Sequence, residues 1–130
     1  LAGRESQVAG TEVALSGFPL GLNVGIYPVV HRGIISSVTP LASPVSPGTG
    51  LSAMYLRALR DGFEVYQLDA TVLPGHSGSP VYATDTGRVL GIAMGRLILG
   101  AGDGEQPQRP SGISYVVPVR YLHDLLAKGK

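Results

Sequence analysis

The apolar residues of this chain fall into short segments that end at glycine or proline. Val, Ile, Leu and Tyr dominate these segments, and such residues favour β-strands. The predicted strands run Glu12 to Phe18, Tyr27 to Val38, Met54 to Leu59, Phe63 to Leu68, Pro80 to Ala83, Arg88 to Leu99 and Ile113 to Pro118. About six short strands at even spacing indicate a small antiparallel barrel or sandwich.

Turn residues divide these segments. Arg60 to Gly62 and Thr84 to Gly87 are typical of hairpin turns, whereas Pro40 to Gly50 and Gly100 to Gly112 are predicted to be loops. Gly33 lies inside a predicted strand, which indicates a bulge or a close approach of two backbones.

Near the end of the chain, the spacing of the apolar residues changes from that of a strand to that of a helix. Val119, Leu122, Leu125 and Leu126 follow helical spacing and predict one short C-terminal helix from Val119 to Lys128. No internal repeat interrupts the pattern, so residues 1–130 are predicted to form one all-β domain with a closing helix.

Composition excludes several classes of function. Apolar residues make up 44% of the 130 residues and the net charge is +1, so neither a disordered chain nor a nucleic-acid-binding protein is expected. The chain has no cysteine, which excludes disulfides, cysteine nucleophiles and thiolate metal sites. It opens at Leu1 without a signal-peptide pattern, and we interpret it as part of a longer protein.

The stretch Gly75-His76-Ser77-Gly78-Ser79-Pro80 contains the clearest candidate chemistry. Glycines on both sides of a serine allow backbone N–H groups to converge, as the stabilisation of an oxyanion requires. The nucleophile elbow of α/β-hydrolases needs a glycine two residues after the serine and a following helix. Here Ser79 occupies that position and a strand follows, so that class is excluded.

This stretch resembles the Gly-x-Ser-Gly-Gly-Pro loop of chymotrypsin-fold serine proteases, with Ser79 replacing the second glycine. The wider chain resembles the HtrA-like (Do-type) branch. The supporting blocks are Gly17-Phe18-Pro19-Leu20-Gly21, Arg32-Gly33-Ile34-Ile35-Ser36, Asp69-Ala70, Gly87-Arg88-Val89-Leu90-Gly91-Ile92 and Gly112-Ile113-Ser114-Tyr115-Val116-Val117-Pro118. They occur in the order of that family and extend the resemblance from Val8 to Leu126.

The resemblance implies the second barrel of a two-barrel enzyme, an antiparallel six-stranded Greek-key barrel. Ser77 is then the expected nucleophile, and the N–H groups of Gly75 and Ser77 the expected oxyanion donors. The family's catalytic His and Asp come from the first barrel. His31, His76 and His123 lie in no block that resembles the family's catalytic His motif, so both missing residues are expected before Leu1. His76 is expected to shape the loop through its backbone alone.

The resemblance also places a specificity pocket. Thr71 corresponds to the base of that pocket, and Ile92, Ala93, Met94 and Ser114 are expected in its walls. An uncharged base favours cleavage after small or medium apolar residues, since an unpaired cation would be desolvated there.

The expected function is therefore half of a serine endopeptidase, inactive by itself because it lacks its base. Its expected partners are a polypeptide substrate, the missing N-terminal barrel and a second copy in a homodimer, without a cofactor or a metal. If the protein is HtrA-like, its expected location is periplasmic, membrane-anchored or extracellular. The alternative is a protease-like module that binds a peptide or a partner without cleaving it.

Overall fold

A computed structural model of the chain describes residues 1–19, 27–40, 63–99 and 109–129. Its strands are β1 (Glu12–Gly17), β2 (Val29–Pro40), β3 (Glu64–Asp69), β4 (Pro80–Ala83), β5 (Val89–Leu99) and β6 (Arg109–Pro118), followed by helix α1 (Val119–Lys128). The predicted strand Met54 to Leu59, the turn Arg60 to Gly62 and most of the two predicted loops lie outside the described residues.

The six strands form a closed antiparallel barrel in the order β1-β2-β3-β6-β5-β4. β1, β2 and β3 pair in sequence, and β4 returns to lie beside β1, which is the Greek-key connection. Closure leaves no free sheet edge along most of the barrel. The predicted all-β barrel with a short C-terminal helix is confirmed.

The last strand is longer than its sequence predicts. β6 begins at Arg109, within the segment that we predicted as a surface loop up to Gly112. Pro110 pairs with Ile98 of β5, whereas the pairing with β3 starts only at Ser114. Among the described residues, Pro110 therefore has a strand partner on one side only, and a strand with an open side tolerates a residue without an N–H.

The core fills the inside of the barrel with apolar side chains from every strand. Its buried members are Ala2, Val13, Leu15, Ile35, Tyr66, Leu68, Val72, Val81, Ala83, Leu90, Ala93, Val116 and Val119. The hydroxyl of Tyr66 accepts a hydrogen bond from the Gln7 N–H at 3.2 Å, which satisfies the one polar group of this ring. Removal of these side chains from water is the main stabilisation of the barrel.

Gly33 allows two strands to approach closely. A Cβ at this position would collide with the carbonyl oxygen of Asp69 and with Ala70. The predicted close approach is confirmed, and the irregularity of β2 lies slightly later, between Ile35 and Ser37. The register of β2 against β3 therefore depends on this glycine.

Helix α1 packs across the start of β3. The Tyr121 hydroxyl accepts the Glu64 N–H at 2.8 Å, and the Tyr121 ring stacks on Phe63 at 4.4 Å. Arg120 donates to the Glu64 carboxylate at 2.8 Å. Among the described residues, no helix has the length and apolar character needed to cross a bilayer.

Candidate functional site

Residues 70–79 connect β3 to β4 and contain the serine predicted as nucleophile. The end of this segment is attached to β5 by two backbone hydrogen bonds. The Gly78 N–H donates to the carbonyl of Ala93 at 2.7 Å, and the Ala93 N–H donates to that of Ser79 at 2.9 Å. These bonds fix the position of the loop on the barrel.

Within the loop the chain reverses direction twice. The His76 N–H donates to the Leu73 carbonyl at 3.1 Å, and the Ser79 N–H donates to the His76 carbonyl at 3.0 Å. Gly75 and Gly78 have φ angles of 97° and 88°. A residue with a Cβ is strained in this region, so both turns depend on glycine.

Ser77 is exposed between these two glycines. Its hydroxyl contacts no hydrogen-bond partner among the described residues, so no described base is placed to take its proton. In the same part of the chain, the N–H groups of Gly75 and Ser77 have no acceptor either. A hydroxyl flanked by two unpaired N–H donors is the arrangement that stabilisation of an oxyanion needs.

The His76 side chain contributes to the loop, contrary to our expectation that only its backbone would. Its ring is fully buried, and Nδ1 accepts the Leu73 N–H at 2.9 Å. The His31 ring lies edge to face with it, at a centroid distance of 5.1 Å. Burial lowers the pKa of His76, and the neighbouring His31 acts in the same direction. The neutral imidazole is therefore the form that suits this site at pH 7.

Gly17, the last residue of β1, has no side chain and so leaves room for the His76 ring and the Ser79 hydroxyl. A Cβ on Gly17 would lie 2.6 Å from Cδ2 of His76 and would collide with the Ser79 hydroxyl. Ser79 is buried at this contact and replaces the second glycine of the serine-protease pattern. The replacement is accommodated because the facing residue of β1 has no side chain.

The residues predicted to form the specificity pocket differ in exposure. Thr71 and Met94 are exposed, Ile92 is half-buried, and Ala93 and Ser114 are buried. Ala93 is the one of these that directly bonds the Ser77 loop.

Ser114 carries an unsatisfied polar group. Its Oγ is buried and has no hydrogen-bond partner among the described residues. It lies on β6, where it pairs with Leu68 of β3 and with Arg96 of β5.

The other candidate groups are engaged elsewhere. A ring nitrogen of His123 bonds the Ala2 carbonyl at 2.8 Å, and Asp124 pairs with Arg4, which lowers the pKa of the Asp124 carboxyl. Within residues 1–19, 27–40, 63–99 and 109–129, no three or more His, Asp or Glu side chains are grouped to hold a metal ion.

Comparison with protein families gives a match to the model of the trypsin-like peptidase domain over residues 1–92. The chain belongs to the trypsin-like peptidase domain family. The match includes β1 to β4 and the whole Ser77 loop of this peptidase domain. No curated protein sequence matches the chain.

Solved structures share the fold of this trypsin-like peptidase domain. A serine-to-alanine mutant of Rv3671c from M. tuberculosis H37Rv, in an inactive form, matches with a TM-score of 0.63 and 23% identity, over 97% of this chain and 50% of that chain. A serine-to-alanine variant of the HtrA-type protease AlgW with a decapeptide matches with a TM-score of 0.59 and 21% identity, over 100% of this chain and 33% of that chain. The chain thus spans half or less of the length of these proteins, and at these identities the likeness shows a shared fold.

Sequence reasoning missed the His31–His76 contact and the role of Gly17. Both depend on side chains that are far apart in the sequence and meet only when the barrel closes. The available signal was a histidine between Gly75 and Ser77, in a tight loop where a bulky ring must find space either outside or inside the barrel.

Proposed function

We propose that this domain supplies the nucleophile and the oxyanion donors of a serine endopeptidase. The observation that carries the proposal is the exposed Ser77 beside the unpaired N–H groups of Gly75 and Ser77. Two free N–H donors beside a nucleophilic hydroxyl provide the hydrogen bonds for the oxyanion that its attack on a carbonyl creates. Membership of the trypsin-like peptidase family supports the same function.

In the proposed reaction, the Ser77 Oγ attacks the carbonyl carbon of the peptide and gives its proton to a base. The N–H groups of Gly75 and Ser77 stabilise the negative oxygen of the tetrahedral intermediate. Its collapse breaks the C–N bond, and the base returns the proton to the leaving amine. Water then hydrolyses the acyl-enzyme by the same steps.

The base and the residue that orients it are proposed to lie outside this chain. None of the described histidines bonds Ser77. We place a His and an Asp in a first barrel that precedes Leu1 in the full-length protein, here called the parent protein. Without them, only about 10³–10⁴-fold acceleration over water remains, so this chain alone is expected not to cleave peptides.

The proposed substrates are polypeptides with small or medium apolar side chains before the cleaved bond. Thr71 at the pocket base carries no charge, and Ile92, Ala93 and Met94 offer apolar contacts. A lysine or arginine there would lose hydration without gaining a counter-charge. Faster cleavage after Arg or Lys than after Ala or Val in a peptide library would contradict this preference.

The missing first barrel is also the proposed occupant of exposed apolar surface. Phe18, Tyr27 and Val30 are largely exposed at the end of the β1–β2 pair. Exposed apolar patches tend to find partners, and without the first barrel a homodimer would cover this one. Light scattering should detect dimers of this chain and none of the parent protein, whereas monomers of this chain at high concentration would contradict the proposal.

Labelling with a fluorophosphonate tests the nucleophile. We expect the parent protein to label at Ser77 within minutes, and neither its Ser77→Ala variant nor this chain alone to label on that timescale. Rapid labelling of this chain would mean that one of its own histidines, or a second copy, supplies the base. A folded parent that does not label would favour the alternative, a module that binds peptides without cleaving them.

A further inference from the structure

The segment Leu73–His76 is closed by two hydrogen bonds of different origin. One joins the His76 N–H to the Leu73 carbonyl at 3.1 Å, and the other joins the Leu73 N–H to the His76 Nδ1 at 2.9 Å. The backbone alone makes the first bond, but the second needs a nitrogen acceptor in the side chain. Gly75, one of the two proposed oxyanion donors, lies inside this closed segment.

Residues of the barrel surround the His76 ring on three sides. Gly17 of β1 lies against Cδ2, the Ser79 hydroxyl is buried beside the same glycine, and His31 of β2 contacts the ring. The ring is fully buried, so the loop cannot lose it without opening the barrel surface at this point. The side chain thus joins the Ser77 loop to β1 and β2.

The protonation state of the ring decides whether the second bond exists. A nitrogen that accepts an N–H carries no proton, so neutral His76 holds its proton on Nε2. The imidazolium carries protons on both nitrogens and has no acceptor for the Leu73 N–H. Among the described residues, the buried Nε2 atoms of His31 and His76 have no hydrogen-bond partner that would stabilise a cation.

We propose that His76 is a positioning residue: its neutral imidazole holds the Leu73–His76 turn and, with it, the oxyanion donors, and its protonation releases the turn and inactivates the site. The part that concerns activity rests on the proposed function. The part that concerns the turn rests on the hydrogen bond and the burial alone.

The groups around the ring favour the neutral form. Of the residues that face it, Gly17 and Ser79 carry no charge, and His31 is the titratable one. No carboxylate among the described residues bonds either imidazole. Burial, and secondly the proximity of His31, holds the pKa of His76 below its usual value of about 6.5.

The lowered pKa of folded His76 determines how the stability of the turn depends on pH. In the unfolded chain His76 takes up its proton at about pH 6.5, whereas the folded chain resists protonation. The stabilisation from the neutral ring is therefore complete above that pH and is lost as the pH falls below it. Activity that depends on the turn falls in the same direction.

Nuclear magnetic resonance of this chain tests the turn without any assumption about activity. On acidification, we expect the His76 imidazole to titrate below its usual pKa. The Leu73 amide resonance should shift, and its hydrogen exchange accelerate, with the same midpoint. A His76 that titrates at its usual pKa, or a Leu73 amide that does not respond, would overturn the proposal.

Two variants of the parent protein separate positioning from simple packing. Asparagine places an oxygen where histidine has Nδ1 and does not titrate, whereas leucine fills space without an acceptor. We expect His76→Asn to keep the pH 7 labelling rate within a few-fold. We expect His76→Leu to lower that rate by about 10²-fold, the loss typical of a displaced oxyanion donor.

The pH profile of labelling completes the test. At acidic pH, the labelling rate of the wild-type protein should fall with two protonations, that of the catalytic base and that of His76. The rate of the His76→Asn variant should fall with one protonation only, that of the base. The part of the proposal that concerns activity would be overturned if the wild type and His76→Asn lost labelling in the same way at acidic pH. It would also be overturned if His76→Asn and His76→Leu labelled at equal rates. If the wild-type parent does not label at all, the proposed function fails, and the resonance experiment still decides whether His76 holds the turn.

Discussion

Two loops flank β4, and they are held in place by different contacts. The hairpin turn Thr84–Gly87, between β4 and β5, is closed by two local hydrogen bonds. The Gly87 N–H donates to the Ala83 carbonyl at 2.9 Å, and the Arg88 N–H donates to the Thr86 Oγ at 3.3 Å. The Ser77 loop leaves the N–H groups of Gly75 and Ser77 without an acceptor among the described residues.

The two loops also differ in what holds them. The hairpin turn is exposed. Beyond the adjoining strand ends, the hydrogen bond it makes among the described residues is a long one, from the Thr84 hydroxyl to the Glu12 carboxylate of β1 at 3.5 Å. The Ser77 loop depends on β5 through Ala93, on β1 through Gly17 and on β2 through His31. The shape of the Ser77 loop therefore depends on distant parts of the chain, whereas that of the hairpin turn depends mainly on local bonds.

Gly78 and Gly87 provide the strongest test of this difference. Their φ angles are 88° and 67°, and a Cβ at either position would meet no atom within 4 Å. Alanine at either position therefore strains the backbone without a collision and should lower the free energy of unfolding by about 1–2 kcal/mol. We expect Gly78→Ala alone to lower the labelling rate of the parent protein, by about 10²-fold, because it displaces the oxyanion donors.

Urea denaturation of this chain and labelling of the parent protein give the two measurements. Gly87→Ala is the control, with a similar loss of stability and an unchanged labelling rate. Equal loss of labelling in both variants would mean that the barrel responds as a whole and that the distinction between the loops is wrong.

The contact between Gly17 and the Ser77 loop gives a further test, in which the stability effect depends on residues far apart in the sequence. Gly17→Ala should cost about 1–3 kcal/mol, the typical cost of overpacking, because its Cβ would collide with His76 and Ser79. Ser79→Gly removes one of the two colliding groups. We therefore expect the double variant to be more stable than the sum of the two single changes predicts, as measured in a double-mutant cycle by urea denaturation.

Gly10→Ala is a suitable control, since Gly10, unlike Gly17, has a positive φ, and a Cβ there would meet no atom within 4 Å. Its cost should not change when Ser79 is replaced. An additive cycle for Gly17 and Ser79 would contradict the contact.

The sequence was sufficient for the parts of this molecule that depend on local pattern. The strands of the barrel, helix α1 and the hairpin at Thr84–Gly87 follow from apolar segments and turn residues close together in the chain. β6 was predicted too short because Pro110 is read locally as a strand breaker. Whether a strand has one partner or two at that point is a property of the closed barrel.

The residues of the candidate site could be predicted from the sequence motif, but their arrangement in space could not. Ser77, Gly75 and Gly78 are recognisable from spacing, whereas the burial of His76 depends on Gly17 and His31, which precede it by many residues. The expectation that His76 acts through its backbone alone was wrong because adjacent side chains in a tight loop point to opposite sides, and one of those sides is the barrel. The positions of Thr71 and Ser114 remain predictions as regards substrate contact.

Two exposed threonines allow the smallest test of the comparison. Thr86→Ala removes the acceptor for the Arg88 N–H, and since water can replace it, the free energy of unfolding should fall by no more than about 0.5 kcal/mol. Thr71, in the Ser77 loop, makes no hydrogen bond among the described residues, so Thr71→Ala should leave stability unchanged. In the parent protein, only the Thr71 variant should alter the preference for the residue before the cleaved bond, as measured with a peptide library. An altered preference in the Thr86 variant would show that the hairpin turn belongs to the site and that the two loops are not independent.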